Sequence, residues 1–384
     1  MRAISMRHDA PHRRPAGAVL ALAAAGLTAC AQPGNTVEIA LAGPVSTPAY
    51  VSMQHAANMA VAEINAAGGV GGRTLELVVR DDSTRPERAI AIATELVADP
   101  RVVAVVGHLN SAATLAAAPI YNDPARGLVN VSPASSSPLV TDAGPWTFRV
   151  CPSDLQHGPA LAAWAVNHLR DRRAVVLYSN DDYGRGVLTS FSDAFRALGG
   201  QVLSQDPYLP AMLDSIGNPD PYLRRGIRNH MNVLVIAGQA ADGAAVLRQA
   251  RADGYAGAVM GADGLTGLRD AGSVANGVYV SSAWLPDQPG EASQQFVQAY
   301  RERYNAAPDQ FGAMTYDAVR LLAQAIGEVG PDRTAIRNYL ERVGRGSPAF
   351  RGVSGTIAFD QNGDVANTNV VVGVIRDGKL VSAQ

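Results

Sequence analysis

The sequence predicts an α/β protein of two Rossmann-like lobes, each built on a parallel sheet. Short β-branched and aliphatic runs alternate with amphipathic stretches, and several runs are apolar throughout, as in strands buried on both faces. The alternation occurs twice, over about 37–131 and again over about 174–280. Each series is typical of an open sheet with helices on both sides. A chain of 384 residues is long enough for two such domains.

Strands are predicted from the apolar runs and helices from their periodicity. The clearest strand runs are 37–41, 75–79, 102–106, 174–178 and 233–237. Apolar residues from Met53 to Ile64 recur at helical spacing and predict a first helix. Leu188 and Phe195 lie on one face of another helix, which is predicted to end at Gly199, since glycine favours the end of a helix.

The part of the chain after Ser282 is predicted to return to both lobes, which gives a hinge of three crossovers. It contains three helical patterns, at 291–304, 310–329 and 333–343, and two strand-like runs, at 353–359 and 370–375. The predicted lobes are 37–152 plus 283–352 and 153–282 plus 353–384, after a leader at 1–29 and a linker at 30–36.

The first 29 residues are typical of a secretion signal. Four arginines precede an apolar stretch that is too short to cross a bilayer about 30 Å thick. The stretch ends in Leu27-Thr28-Ala29-Cys30, which resembles the lipobox of bacterial lipoproteins and implies acylation of Cys30. The alternative is an ordinary signal peptide followed by a chance cysteine. We expect an exported protein, in the periplasm or at the cell surface, that meets the membrane only through lipid at Cys30.

Composition and motifs argue against several other classes of protein. The formal net charge is −2 and the body of the chain has no basic stripe, so no nucleic-acid partner is indicated. Hydrolase and metal signatures are missing from the sequence, so we expect no cofactor, no metal and no enzyme. The glycine run at 68–72 follows a predicted helix and is interpreted as a helix stop, not a phosphate loop. The histidines of the body are predicted to be surface or capping residues.

Polar residues follow several predicted strands where a ligand would meet the edge of a sheet. In the first series, Ser111 begins a small-residue helix, whose free N–H groups suit a carboxylate, and a serine-rich loop follows the next strand. In the second series, Asp263 could pair with an ammonium group and Tyr183 could cover a ligand. Each also has a plain structural interpretation: a capping serine, a solvated loop, a turn aspartate and a packed tyrosine.

Six short segments, in order, carry a resemblance that spans about residues 37–375. They are Glu-Ile-Asn-Ala-Ala-Gly-Gly at 63–69, Gly-His-Leu-Asn-Ser at 107–111, Ser-Pro-Ala at 132–134, Asp-Tyr-Gly at 182–184, Leu-Arg-Gln-Ala-Arg at 247–251 and Thr-Tyr-Asp-Ala at 315–318. In these segments the chain resembles the periplasmic leucine/isoleucine/valine-binding protein family of ABC transporters. The resemblance implies the type I periplasmic binding fold.

The resemblance also implies roles for residues of the first lobe and for one acid of the second. Ser111 and Ser136 would hold the ligand carboxylate, with Ser135 in the same loop. The carbonyl of Ala134, the hydroxyl of Ser136 and the carboxylate of Asp263 would hold the ammonium. This division agrees with electrostatics, because a buried zwitterion needs a partner for each charge.

The remaining implied site residues are those that would surround the ligand side chain. Tyr183 would close over the ligand and Phe311 would lie near its side chain. The chain departs from the family at Gln239, where branched-chain binders have a tyrosine, and the first-lobe tyrosine falls on Ala49 or Tyr50. These departures put the side-chain specificity in doubt.

We therefore expect a monomeric substrate-binding lipoprotein without catalytic activity. It would capture an amino acid, with branched-chain ones among the candidates, or a similar small zwitterion, and deliver it to an ABC transporter permease. Ligand binding would shift the lobes from an open to a closed form. One alternative is a sensor of the same fold that detects amides or other small solutes. Another is a lipoprotein that activates cell-wall synthesis by protein contact.

Overall fold

The structure, a computed structural model, describes residues 35–209, 219–366 and 370–383. The predicted leader at 1–29 and the predicted lipid-bearing Cys30 lie outside these residues. The strands are β1 (Thr36–Gly43), β2 (Thr74–Asp81), β3 (Val102–Val106), β4 (Asn130–Ser132), β5 (Thr147–Arg149), β6 (Arg173–Ser179), β7 (Gln201–Tyr208), β8 (Val233–Ala237), β9 (Ala258–Gly261), β10 (Tyr279–Ser282), β11 (Phe350–Arg351), β12 (Thr356–Ile357), β13 (Val371–Arg376) and β14 (Lys379–Ser382). The α-helices are α1 (Val51–Ala66), α2 (Pro86–Ala98), α3 (Ser111–Tyr121), α4 (Asp154–Trp164), α5 (Asp182–Ala197), α6 (Asp220–Arg228), α7 (Ala240–Ala252), α8 (Glu291–Tyr304), α9 (Gln310–Val329) and α10 (Arg333–Arg342).

The first sheet is parallel throughout and has the order β2-β1-β3-β4-β5. All five residues of its central strand β3 are buried. One face packs against α1 and α9 and the other against α2 and α3. Because both faces are covered, the strand has no polar alternation, and this explains why continuous apolar runs predicted it. We call this sheet and its helices the first lobe.

The second sheet forms the second lobe and has the order β14-β13-β10-β9-β8-β6-β7. The five strands from β6 to β10 are parallel, as predicted. At one edge β13 and β14 run antiparallel, so the sheet is mixed there. Asp377 and Gly378 both have positive φ, the backbone that a two-residue hairpin turn requires, and this turn reverses the chain between β13 and β14.

The predicted helices are confirmed with small shifts at their ends. The C-terminal helices α8 and α9 have the predicted bounds, and α10 ends one residue early at Arg342. Helix α1 buries Met53, Ala56 and Ala60 against α9. Helix α5 is followed by Gly199 at φ +80°, which stops it as predicted. None of the described helices combines the length and apolarity needed to cross a membrane.

The chain crosses from one lobe to the other after β5, after β10 and after β12. The predicted strand at 353–359 is only the two-residue β12, in a small hairpin with β11. Ile357, Phe359 and Val365 lie in the core of the first lobe. A lobe boundary after Val365 therefore fits the packing better than the predicted boundary at residue 353.

Two histidines lie in the interior, so their prediction as surface or capping residues is wrong. His108 is fully buried, with Nδ1 2.6 Å from Asp82 Oδ2 and Nε2 3.2 Å from the Tyr121 hydroxyl. His157 is also fully buried, with Nδ1 3.0 Å from Ser281 Oγ. Each ring finds its partners on other elements of the fold, which its own sequence neighbourhood does not indicate.

Candidate ligand-binding site

A small polar cavity lies between the two lobes and brings together six of the eight predicted binding residues. Its lining consists of Leu109, Asn110, Ser111, Ala134, Tyr183, Gln239, Asp263, Gly264 and Phe311. The predicted residues that it omits are Ser135 and Ser136.

The position of the cavity follows from the direction of the strands. The lining residues come from loops just after β3, β4, β8 and β9, and from the first turns of α5 and α9. Parallel strands put their carboxyl ends at one edge, and polar loops from both lobes therefore meet where these edges face each other.

The first lobe contributes hydrogen-bond donors from the start of α3. Ser111 is the first residue of that helix, and the capping position belongs to Asn110, whose side chain makes no capping bond. The first N–H groups of a helix have no intrahelical partner, and the helix dipole favours negative charge there. Ser111 Oγ accepts a hydrogen bond from the N–H of Ser137 at 3.2 Å, which fixes the hydroxyl beside the serine-rich loop. This end of the cavity suits a carboxylate.

The two other predicted serines lie behind the cavity wall. Ser135 is fully buried, and its hydroxyl lies within hydrogen-bond distance of the carbonyls of His108 (3.2 Å) and Leu109 (3.1 Å), so it ties the two first-lobe loops together. Ser136 is also fully buried, and its Oγ has no hydrogen-bond partner among the described residues. Its backbone carbonyl accepts from the N–H of Asp154 at 2.7 Å. In this conformation, Ala134 is the lining residue of that loop.

The second lobe contributes a carboxylate that is held by two donors. Asp263 Oδ1 accepts from the Tyr183 hydroxyl at 3.0 Å and from the N–H of Gly264 at 3.0 Å. The N–H of Gly264 also lies 2.8 Å from the Tyr183 hydroxyl oxygen. A β-carbon on Gly264 would come within 2.6 Å of that oxygen, so the close approach requires glycine. Tyr183 and Asp263 therefore act as one unit, which the sequence did not indicate.

Buried titratable groups set the charge of this region. Burial, together with the charge of Asp263, raises the pKa of Asp154 well above its usual range. Burial also raises the pKa of Asp263, against the opposing effects of His157 and of the hydrogen bonds from Tyr183 and Gly264. Burial lowers the pKa of His157. A ligand cation would relieve the burial cost of Asp263 by pairing with its carboxylate.

A buried arginine that sequence reasoning missed supports the serine-rich loop. Arg149 is 1% exposed and donates to the carbonyls of Ser135 at 3.2 Å and Ser137 at 2.8 Å. It also forms an ion pair with Asp364 at 2.6 Å. Arg149 thus anchors the serine-rich loop, which contains Ala134, within the first lobe.

Tyr50 and Gln239 join the lobes at the side of the cavity. The Tyr50 hydroxyl donates to Gln239 Oε1 at 2.9 Å, and its ring meets Phe311 edge to face at 5.5 Å. Tyr50 belongs to the first lobe and Gln239 to the second, directly after β8. Of the two candidates for the first-lobe tyrosine position, Ala49 and Tyr50, it is Tyr50 that lies beside the cavity. Tyr50 is only 5% exposed.

No group of three or more potential metal-ligating side chains occurs in the described ranges. A second and larger cavity is lined by Trp284, Asp309 and Lys379, among others, but by none of the predicted site residues. The small cavity between the lobes is therefore the site to which the sequence prediction points. It offers donors on one wall and a buried carboxylate on the other, an arrangement suited to holding a small dipolar molecule.

Two sheets with facing carboxyl edges and three crossovers define a type I periplasmic binding protein. Residues 36–379 match the family described as periplasmic binding protein, and the chain belongs to that family.

Similar proteins cover nearly the whole chain. The leucine-, isoleucine-, valine-, threonine-, and alanine-binding protein of Pseudomonas aeruginosa is 28% identical over 92% of this chain and 93% of its own. A solved ABC transporter substrate-binding protein of Desulfitobacterium hafniense in complex with Leu is 31% identical, with a TM-score of 0.79 over 91% of this chain and 100% of that one. A leucine binding protein of Thermotoga maritima is 28% identical, with a TM-score of 0.82 over 91% and 98%.

Proposed function

We propose that the protein is an extracytoplasmic substrate-binding protein that captures an amino acid and delivers it to an ABC transporter permease. The observation that carries the proposal is the cavity in which the start of α3, with Ser111, faces Asp263 of the other lobe. Helix N–H donors suit a carboxylate, and a buried carboxylate suits an ammonium. The similar proteins, one of them solved in complex with Leu and another an amino-acid-binding protein of Pseudomonas aeruginosa, support an amino acid as ligand.

Binding would depend on lobe closure. An α-amino acid would contact Ser111 and Ala134 through the first lobe and the Asp263–Tyr183 unit through the second. Because both sets of contacts exist only when the lobes meet, the ligand binds the closed form better and increases its population. The closed form is then the species that a permease would recognise. We propose no catalytic step, and we propose that the protein acts as a monomer.

The mature N-terminus is proposed to carry a lipid anchor. Acylation at Cys30 after removal of residues 1–29 would keep the protein at the outer surface of a membrane. Mass spectrometry of the protein extracted from membranes tests this directly. A mature N-terminus other than Cys30, or an unmodified Cys30, would contradict the lipid anchor and leave ligand binding untouched.

Calorimetry with a panel of L-amino acids tests the ligand class. We expect at least one amino acid to bind, and we expect Asp263→Asn to weaken that binding about 10- to 150-fold. The magnitude is that of one hydrogen bond to a charged group, about 1.5–3 kcal/mol. Asparagine keeps the shape of the side chain and removes its charge.

Asp193→Asn is the matched control, since Asp193 is 72% exposed on α5 and lies outside the cavity lining. This variant should bind like the unmodified protein. Absence of heat with every amino acid would contradict the proposed ligand class. Equal affinities of Asp263→Asn and Asp193→Asn would contradict the assigned role of Asp263.

A further inference from the structure

The cavity contains two amide side chains that the contacts with an amino acid's charged ends do not use. Asn110 lines it from the first lobe and Gln239 from the second. Asn110 Oδ1 is buried and accepts no hydrogen bond from any described residue. Gln239 Oε1 accepts from Tyr50, while its Nε2 donates to none of the described groups. The lining therefore holds one free acceptor and one free donor.

Helix capping does not explain the amide of Asn110. The residue stands at the capping position of α3, where asparagine usually accepts a hydrogen bond from the first turn, yet its side chain makes no such bond. A buried acceptor without a partner is costly, and native structures keep few of them. A ligand that brings a donor to Asn110 Oδ1 would remove this cost.

The same part of the cavity is short of space. Tyr50 closes it from the side, held by Gln239 at 2.9 Å and by the edge of Phe311 at 5.5 Å between ring centres. A long ligand side chain would have to displace the Tyr50 ring from these contacts, so a short side chain fits best.

We propose that the ligand is an amino acid with a short hydroxylated side chain, of the threonine or serine type; this rests on the proposed function. A hydroxyl is both a donor and an acceptor. It can donate to Asn110 Oδ1 and accept from Gln239 Nε2, whereas an aliphatic side chain can do neither. The two amides thus select threonine over valine and leucine.

L-Threonine and L-valine are the decisive pair, because they differ by a hydroxyl in place of a methyl group and have nearly the same size. Calorimetry of the full chain should give threonine a Kd about 10-fold or more below that of valine. In Asn110→Leu, which replaces the amide by an apolar side chain with the same branching and breaks no capping bond, the preference should vanish. Gln239→Leu should reduce it as well. Asn229→Leu, at an exposed residue after α6, should leave it unchanged.

The outcomes separate this inference from the function on which it rests. Valine binding as tightly as threonine overturns the inference and leaves amino-acid capture standing. A threonine preference that survives both Asn110→Leu and Gln239→Leu also overturns it, because the selection then lies elsewhere. If no amino acid in the panel binds, the proposed function fails and the inference fails with it.

Discussion

An ion pair between Arg269 and Asp309 joins the two lobes and allows lobe closure to be tested away from the ligand. Arg269 lies in the 3₁₀ segment Asp263–Ala275 of the second lobe, and Asp309 precedes α9 of the first. Arg269 Nη2 donates to Asp309 Oδ2 at 2.9 Å, and their side chains are 21% and 3% exposed. The other oxygen of Asp309 accepts from Ser52 Oγ at 2.6 Å and from the N–H of Gly312 at 3.0 Å. Asp309 is therefore fixed in the first lobe whether or not Arg269 is present.

We predict that Arg269→Met weakens ligand binding about 5- to 30-fold. Methionine keeps much of the aliphatic stem and removes the guanidinium, while Asp309 retains two hydrogen bonds. The lost contact is a partly buried, charge-assisted hydrogen bond, which contributes about 1–2 kcal/mol, more than an exposed ion pair. A free energy of 1.4 kcal/mol corresponds to a factor of about ten in affinity. Because the pair forms only when the lobes meet, its loss lowers the population of the binding-competent closed form.

Calorimetry gives the Kd of this variant, and stopped-flow fluorescence gives the dissociation rate, where most of the change should appear. Arg248→Met is the matched control, since Arg248 is exposed on α7. The midpoint of thermal unfolding without ligand should change little in both variants. An affinity of Arg269→Met within twofold of the control would refute the reasoning, because the ion pair would then contribute nothing to closure.

Two further predictions concern charge at and behind the site. Ligand affinity should fall as the pH is lowered through the raised pKa of Asp263, because protonation removes the charge that pairs with an ammonium, and it should be retained at higher pH. Calorimetry over a pH series should show this loss in the unmodified protein and a flatter profile in Asp263→Asn. Arg149→Met should lower the free energy of unfolding by about 3–5 kcal/mol, because it leaves Asp364 without its ion-pair partner and the Ser137 carbonyl without a donor. Urea denaturation measures this value, and a loss below about 1 kcal/mol would contradict the bracing role of Arg149.

Most of the fold could be predicted from the sequence because the physical signals are local. The residues of β3 and β8 are apolar without interruption, since helices cover both faces of each sheet. Helices α8 and α9 have regular apolar faces and therefore had predictable bounds. The antiparallel edge was missed because β13 is a short apolar run like the parallel strands, and only the hairpin turn at Asp377 and Gly378 distinguishes it.

The candidate site was predictable where one rule sufficed, namely that ligands bind at the carboxyl edges of parallel sheets. Ser111 and Asp263 each follow a buried strand, and the carboxyl edges of the two sheets meet. Contacts over long sequence distances were not predictable. Tyr50 and Gln239 are 189 residues apart, and Arg149 and Asp364 are 215 apart. Charged residues are mostly exposed, so a buried arginine has no local signal.

The position of Ser136 also lay beyond sequence reasoning. The serine-rich loop was correctly placed at the sheet edge, but the backbone course decides which of its residues faces inward. Here Ala134 reaches the cavity, while the hydroxyls of Ser135 and Ser136 point to other buried partners or to none. The family resemblance implied a ligand contact for Ser136, and that assignment stays a prediction.

The hairpin of β13 and β14 affects the order in which the second sheet can fold. Between β10 and its neighbour β13 the chain builds α8 to α10 and the small hairpin of the other lobe. The second sheet therefore keeps an unpaired edge at β10 until β13 and β14 have been synthesised, and pairings of such long range form slowly. Loss of β13 and β14 would expose β10 as an open edge, the kind of surface through which strands of separate molecules can pair. The hairpin thus covers an edge that would otherwise be available for pairing between molecules.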